Sequence, residues 1–323
     1  MGEPTASPSP PRRPPIVPPG SAAPLAILGV TASGKSALAM ALARRRGDVE
    51  LVSVDSMQVY RGMDIGTAKP TAAERSEVRH HVLDLVDPWD PFEVRTFQRA
   101  VGEALADIHA RGKRAVLVGG TGLYLRAVVD DLEIPGRYPD VAATLDADPD
   151  TVGLHTRLVA LDPLGASRME PTNRRRVVRA LEVTVGSGRP FSSFGPGLDA
   201  HPPSPVHLVG VWVPRPVVAE RIERRYAEQV TAGFLAEVQR LHDGPELSRT
   251  ASQALGYREL LAHVRGEVTL DAALAQAVTR TRQFARRQRT WFRRDPRVAW
   301  LHSDADPMVA LPALEQAALD LWD

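Results

Sequence analysis

The chain has 323 residues, 40 Lys and Arg against 39 Asp and Glu, 43% hydrophobic residues and no cysteine. That is enough apolar material for one large or two modest packed domains, while a formal net charge of +1 marks no global nucleic-acid binder. The missing cysteine excludes a disulfide framework, a thiol nucleophile and a thiolate zinc site. No run approaches about 18 consecutive apolar residues, the length needed to span a membrane, and the N-terminus carries no apolar core of the signal-peptide kind, so a cytoplasmic protein is expected.

Residues 1–23 are rich in Pro, Ser, Gly and Ala and bury little, which predicts a disordered tail. Ala26-Ile-Leu-Gly29 then reads as a strand that stops at the turn Gly29, Val30, Thr31, Ala32, Ser33, Gly34, Lys35, Ser36, with a helix predicted over 36–46. This G-x-x-x-x-G-K-S spacing between a strand and a helix is a phosphate-binding loop: the glycines let successive N–H groups point inward, Lys35 adds a point charge and the Ser36 hydroxyl can hold Mg²⁺. The helix adds the positive end of its dipole. The loop by itself does not distinguish a nucleoside triphosphate from another diphosphate.

Val49–Val54 is a β-branched run ending in Asp55, expected to face the phosphate loop across the crevice beyond the carboxyl ends of the strands. His81–Val86 reads as a third strand, 92–111 as a helix, and Ala115–Val118 as a fourth strand that ends in Gly119-Gly-Thr-Gly-Leu-Tyr124, another glycine turn. His80 and His81 are read as flanking a strand start, not as a zinc pair. From 138 to 205 the texture is helical with Asp, Arg and Pro breaks, predicting a helical insertion into a core formed by 24–137 and 206–323. Val206–Val213 is expected to complete a parallel sheet, and everything beyond it reads as helix, notably 215–238 and 272–294. The predicted fold is thus α/β, a parallel sheet of the P-loop kind flanked by helices.

The strand before Gly119 does not end in the acidic residue usual for a phosphoryl-transfer ATPase, so Asp55 stands as the base of a small-molecule kinase or of another transfer. The segment Asp55-Ser-Met-Gln-Val-Tyr-Arg-Gly-Met-Asp-Ile-Gly-Thr-Ala-Lys-Pro70 breaks that tie. Together with the phosphate loop, Gly119–Tyr124, Arg175-Arg-Val-Val-Arg-Ala-Leu-Glu182 and Gln253-Ala-Leu-Gly-Tyr-Arg258, it closely resembles the tRNA dimethylallyltransferase family over residues 24–302. Val30 stands where that family commonly has proline, a position that sets loop stiffness. The Pro-rich tail lies outside the family pattern.

The resemblance implies transfer of a prenyl group from dimethylallyl diphosphate to N6 of the adenine just 3′ of the anticodon, by a bacterial-type enzyme without a zinc finger. Lys35, with Mg²⁺ on Ser36, would stabilise the leaving diphosphate. Arg225 would clamp it, or be a surface arginine. Asp55 would take the N6 proton, or only orient the base. Thr31 would reach the amine or the diphosphate, or be a buried structural hydroxyl. By the same resemblance, Asp55, Ser56, Met57, Gln58, Thr121, Gln253, Gly256, Tyr257 and Arg258 are expected to meet tRNA; Thr121 is alternatively a simple helix cap.

Eight arginines between Arg280 and Arg297 are opposed within that span only by Asp295, with Phe284, Trp291 and Phe292 interleaved, and Arg286 and Arg287, with Arg289 beside them, are assigned to the RNA surface. Arg175, Arg176 and Arg179, with Arg174, place charge on neighbouring turns of the insertion and support the same partner, a tRNA anticodon stem-loop. A monomer is expected. The competing readings are prenyl transfer to free adenine nucleotides, a small-molecule kinase, and a tRNA-binding protein without catalysis.

Overall fold

The computed structural model describes residues 15–322. Residues 1–14 of the predicted tail lie outside the described residues. The rest of that stretch packs: Ile16 is buried in the main core and the Trp322 indole N–H donates to the Ala23 carbonyl at 2.8 Å.

The elements in chain order are β1 Leu25–Gly29, α1 Lys35–Arg46, β2 Val49–Val54, α2 Ala72–Glu77, β3 His80–His81, α3 Val94–Ala110, β4 Arg114–Gly119 and α4 Gly122–Val129. The helices α5 Pro139–Ala147, α6 Thr151–Leu161, α7 Pro163–Ser167 and α8 Arg174–Ser187 follow. The chain closes with β5 His207–Trp212, α9 Arg215–Thr231, α10 Phe234–His242, α11 Tyr257–Val264, α12 Leu270–Phe292, β6 Ala299–His302 and α13 Leu311–Trp322. The six strands form one parallel sheet in the order β3-β2-β4-β1-β5-β6. Strands β1 and β2 are buried at every position, as parallel strands covered by helices on both faces must be.

Register aligns the site. Gly119 pairs with Val54 on one side and with Leu28 on the other, so β2, β4 and β1 end at one level. The residues that follow, Asp55, Gly120 and the phosphate loop, therefore emerge side by side. A Cβ at Gly119 would lie 2.0 Å from the Val54 carbonyl oxygen, so this close approach of β2 and β4 admits only glycine.

Three expectations need correction. The strand expected over 81–86 is only His80–His81, because Val82 and Asp84 take positive φ (64° and 54°) and turn the chain away from β2. Lys69 and Arg75 hold Asp84 in that turn at 2.6 and 2.7 Å, and Leu85 and Val86 bond to Val59 instead. The C-terminal part is not all helix: β6 extends the sheet beside β5, with Trp300 edge-on to Trp212. The helix expected over 215–238 breaks into α9 and α10 at Gly233, whose φ is 98°.

Helices α5, α6, α7 and α8 enclose an apolar cluster of their own, with Leu145, Leu154, Leu158, Val177 and Leu181 at its centre, apart from the cluster that joins the sheet to its covering helices.

Candidate active site

The phosphate loop curls through Ala32 (φ 62°) and Gly34 (φ 86°) into the first turn of α1. Lys35 lies back over the loop, its Nζ 3.4 Å from the Val30 carbonyl. Burial, reinforced by the Arg225 charge and opposed by Asp55, pulls the Lys35 ammonium down to about 8. Arg225, on α9, donates to the Thr31 hydroxyl at 2.9 Å, and burial together with Arg221 works against its charge too. The Thr31 hydroxyl thus joins the loop to Arg225. Two cations crowded at a glycine loop, with no carboxylate in contact with either among the described residues, form a site that an anion would relieve.

Asp55 is half-buried at the tip of β2, and its Oδ1 accepts from the Met57 N–H at 2.8 Å. Thr121 begins α4 but makes no side-chain cap; its hydroxyl accepts from the Ser56 N–H at 3.2 Å and lies 3.4 Å from the Ser56 hydroxyl. The turn after β2 and the glycine turn after β4 are therefore joined. Gln58 faces inward, accepting from Ser53 and donating to the Thr67 and Ala68 carbonyls, so its side chain braces the loop. Met57 is half-buried against the core.

Of the more distant residues, Gln253 and Arg258 are exposed and bond to each other at 3.1 Å. Tyr257 is fully buried with its hydroxyl on Glu237 at 2.5 Å, and Gly256 is buried with its N–H on Glu259 at 2.8 Å, so neither reaches an RNA from this conformation. Arg175 and Arg176 are exposed in the first turn of α8. Cations at the positive end of a helix dipole cost stability locally, which favours a binding role over a structural one. Arg179 is turned inward instead, onto the Pro135 carbonyl and Glu182.

Along α12, Arg286 and Arg287 are exposed, as are Arg293 and Arg294 beyond it. The apparent excess of charge is smaller than the linear sequence implies: Arg280 pairs with Glu259 and Arg282 with Glu223, while Arg297 pairs with Asp130 and Asp295. Arg289 lies over the Trp212 ring at 4.3 Å and donates to the Val213 carbonyl.

Two polar groups of the site do not stand out in the sequence. Gln288, buried on α12, accepts from the Thr31 N–H and donates to the Gly120 carbonyl, both at 2.8 Å, and so ties the phosphate loop to the turn after β4. Its one signal is spacing: Ala277, Thr281, Ala285, Gln288 and Phe292 mark the buried stripe of α12. Arg221, one turn before Arg225 on α9, donates to the Ala32 carbonyl at 2.8 Å and pairs with Asp306 at 2.5 Å.

The family model for IPP transferase matches residues 58–295, and that for isopentenyl transferase matches residues 24–86. The chain belongs to the IPP transferase family. It is 45% identical to a tRNA dimethylallyltransferase of Nocardioides sp., covering 96% of this chain and 98% of that protein. It is 47% identical to one of Streptomyces coelicolor, covering 90% and 93%. Among solved structures, the full-length tRNA isopentenylpyrophosphate transferase of Bacillus halodurans is similar with a TM-score of 0.68 and 34% identity over 93% of this chain and 97% of that one. A eukaryotic dimethylallyltransferase acting on tRNA gives a TM-score of 0.76 at 26% identity over 91% and 77%. Family membership carries the P-loop parallel-sheet architecture with it, in agreement with the strand order.

Proposed function

We propose that this member of the family transfers the dimethylallyl group of dimethylallyl diphosphate to N6 of the adenine 3′-adjacent to the anticodon in tRNA, releasing diphosphate. The observation that carries the reading is the division of the crevice: Lys35 and Arg225 gather at the phosphate loop after β1, and Asp55 stands at the tip of β2, across β4 from that loop and within the field of both. The allylic C–O bond breaks, the new bond forms from N6 to the same carbon, and the displaced N6 proton passes to the Asp55 carboxylate. Since an allylic carbon tolerates positive charge, the demand falls on stabilising the leaving diphosphate, which Lys35, Arg225 and the loop N–H groups meet.

Ser36 opens α1 with an exposed side chain, and no cluster of three acidic or histidine residues is found among the described residues. That donor set suits Mg²⁺, which keeps several waters and takes few protein ligands beside phosphate oxygens. Bound there, Mg²⁺ would add positive charge at the leaving group. The target adenine must leave its stack to reach Asp55, with the insertion 138–205, Arg175 and Arg176, and the exposed arginines of α12 holding the stem-loop phosphates. No helix among the described residues is long and apolar enough to cross a membrane; we read the protein as a cytoplasmic monomer.

The test is incubation with labelled dimethylallyl diphosphate and three acceptors separately: unmodified tRNA, AMP and ATP. Label is expected in tRNA alone; transfer to the free nucleotides without transfer to tRNA would overturn the assignment.

A further inference from the structure

The motif Gln253–Arg258 is one of the long blocks of the chain, yet its tyrosine touches neither loop cation nor solvent. Tyr257 instead bonds to Glu237, a carboxylate on α10 that is 1% exposed. The same carboxylate accepts three consecutive backbone N–H groups, from Asp64 at 3.0 Å, Ile65 at 2.9 Å and Gly66 at 3.2 Å. Four donors around one buried carboxylate make an anion nest inverted in origin, with the protein's own side chain as the anion. Burial and the Glu237 charge raise the Tyr257 hydroxyl far above its usual range, which keeps it a donor.

The grip is tight on every side. Gln229 of α9 donates to the Ile65 carbonyl at 2.6 Å, and a Cβ at Gly66 would lie 2.2 Å from the Phe234 ring and 2.4 Å from that of Tyr257. Residues 64–66 are thereby pinned by α9, α10 and α11 together. The next two carbonyls, of Thr67 and Ala68, each receive Gln58 Nε2 at 3.1 Å, and Gln58 Oε1 accepts from Ser53 at 2.7 Å. Residues 64–68 are thus held at one end by Glu237 and at the other by Gln58, the last residue of the turn that starts at Asp55, with the backbone between them joining the two sets of hydrogen bonds.

We propose that Glu237, with Tyr257 as its donor, is the positioning residue of the acceptor-side turn Asp55–Gln58. It rests on the reading of Asp55 as proton acceptor given above. The C-terminal helices then hold in place a carboxylate carried by the N-terminal half of the chain. Glu237 touches no substrate; its effect is on where Asp55 stands relative to N6.

The experiment compares Glu237→Gln and Tyr257→Phe in the full chain, each also combined with Asp55→Ala. Misplacement of a catalytic group by about 1 Å costs on the order of 10²-fold, so turnover on unmodified tRNA should fall about 10–10²-fold while inorganic diphosphate binding stays within about twofold. In the Asp55→Ala background the same substitutions should have little further effect on turnover, the coupling expected of groups acting as one unit. Tyr257→Phe removes a single hydroxyl and carries the test if Glu237→Gln fails to fold. A lowered thermal midpoint with unchanged turnover, or a loss that multiplies in full onto that of Asp55→Ala, would overturn the proposal. Normal turnover of Asp55→Ala alone would sink the proton-acceptor reading, and with it the route from Glu237 to the chemistry.

Discussion

In the proposed reaction Lys35 serves the leaving diphosphate and Asp55 the acceptor amine, and each makes a distinct prediction. Asp55→Ala should lower turnover by about 10²–10⁴-fold, the usual effect of losing a positioned proton acceptor, with tRNA affinity nearly unchanged; comparing turnover with tRNA binding checks it. The Lys35 ammonium is lowered to about 8 by burial, so above that pH the free protein carries it neutral. A diphosphate favours the charged form, and binding at pH 8.5 should therefore draw a proton onto Lys35. Calorimetry in buffers of different ionisation enthalpy should show up to one more proton taken up by the native protein than by Lys35→Arg, whose guanidinium stays charged throughout. Equal uptake by the two would place the charge of Lys35 away from the anion. For stability the sign follows the same linkage: the unfolded chain holds the Lys35 proton up to about 10.5, so the cost of burying this charge is present below pH 8 and relieved between 8 and 10.5.

Among the elements, α12 has two faces with different tasks. Its buried stripe presents Gln288 to the phosphate loop, and its outer face presents Arg286 and Arg287. If those two side chains meet the RNA backbone, replacing both with Ala should flatten the log–log salt dependence of tRNA binding by about 0.7–0.9 for each arginine–phosphate pair removed, leaving inorganic diphosphate affinity unchanged. Arg289→Ala belongs to the control set, because its guanidinium is spent on Trp212 and the Val213 carbonyl. A salt slope that falls equally for Arg289→Ala and for the outer pair would refute the division of faces. The same distinction separates Arg175 and Arg176, exposed at the start of α8, from Arg179, whose bonds turn inward.

For the molecule as a whole, two separate apolar clusters imply two units that can lose structure separately. Leu158 is fully buried in the cluster of the insertion, and Leu158→Ala should cost about 2–5 kcal/mol there through reduced burial and the cavity left behind. Hydrogen exchange should then show faster opening of α5, α6 and α8 with the sheet still protected. tRNA-dependent turnover should drop while diphosphate binding persists, since the phosphate loop belongs to the other cluster. Uniform loss of protection in both clusters would show a single cooperative unit instead.

Local chemistry is legible in the sequence where short-range rules decide the outcome. The strand–glycine turn–helix of the phosphate loop, the carboxylate ending β2 and the helical insertion all follow from spacing and periodicity within a few tens of residues. Three of the family blocks, the phosphate loop, the segment from Asp55 and Gly119–Tyr124, meet at the crevice, and each is legible because it is contiguous. What the linear chain does not show is which partner arrives from far away. Carboxylates at Glu223, Glu259 and Asp130 neutralise arginines that look unbalanced in their own segment. The four residues of β6 are too few to stand out until β5 offers them a partner. Val82 and Asp84 turn out of the sheet at positive φ, where Asp84 meets Lys69 and Arg75, partners that the apolar pattern of the strand does not announce. Tyr257 reads as a surface motif until α10 brings Glu237 beneath it. Periodicity and turn chemistry are properties of neighbours along the chain; charge compensation and buried hydrogen bonding are properties of neighbours in space, and only the tertiary structure decides those.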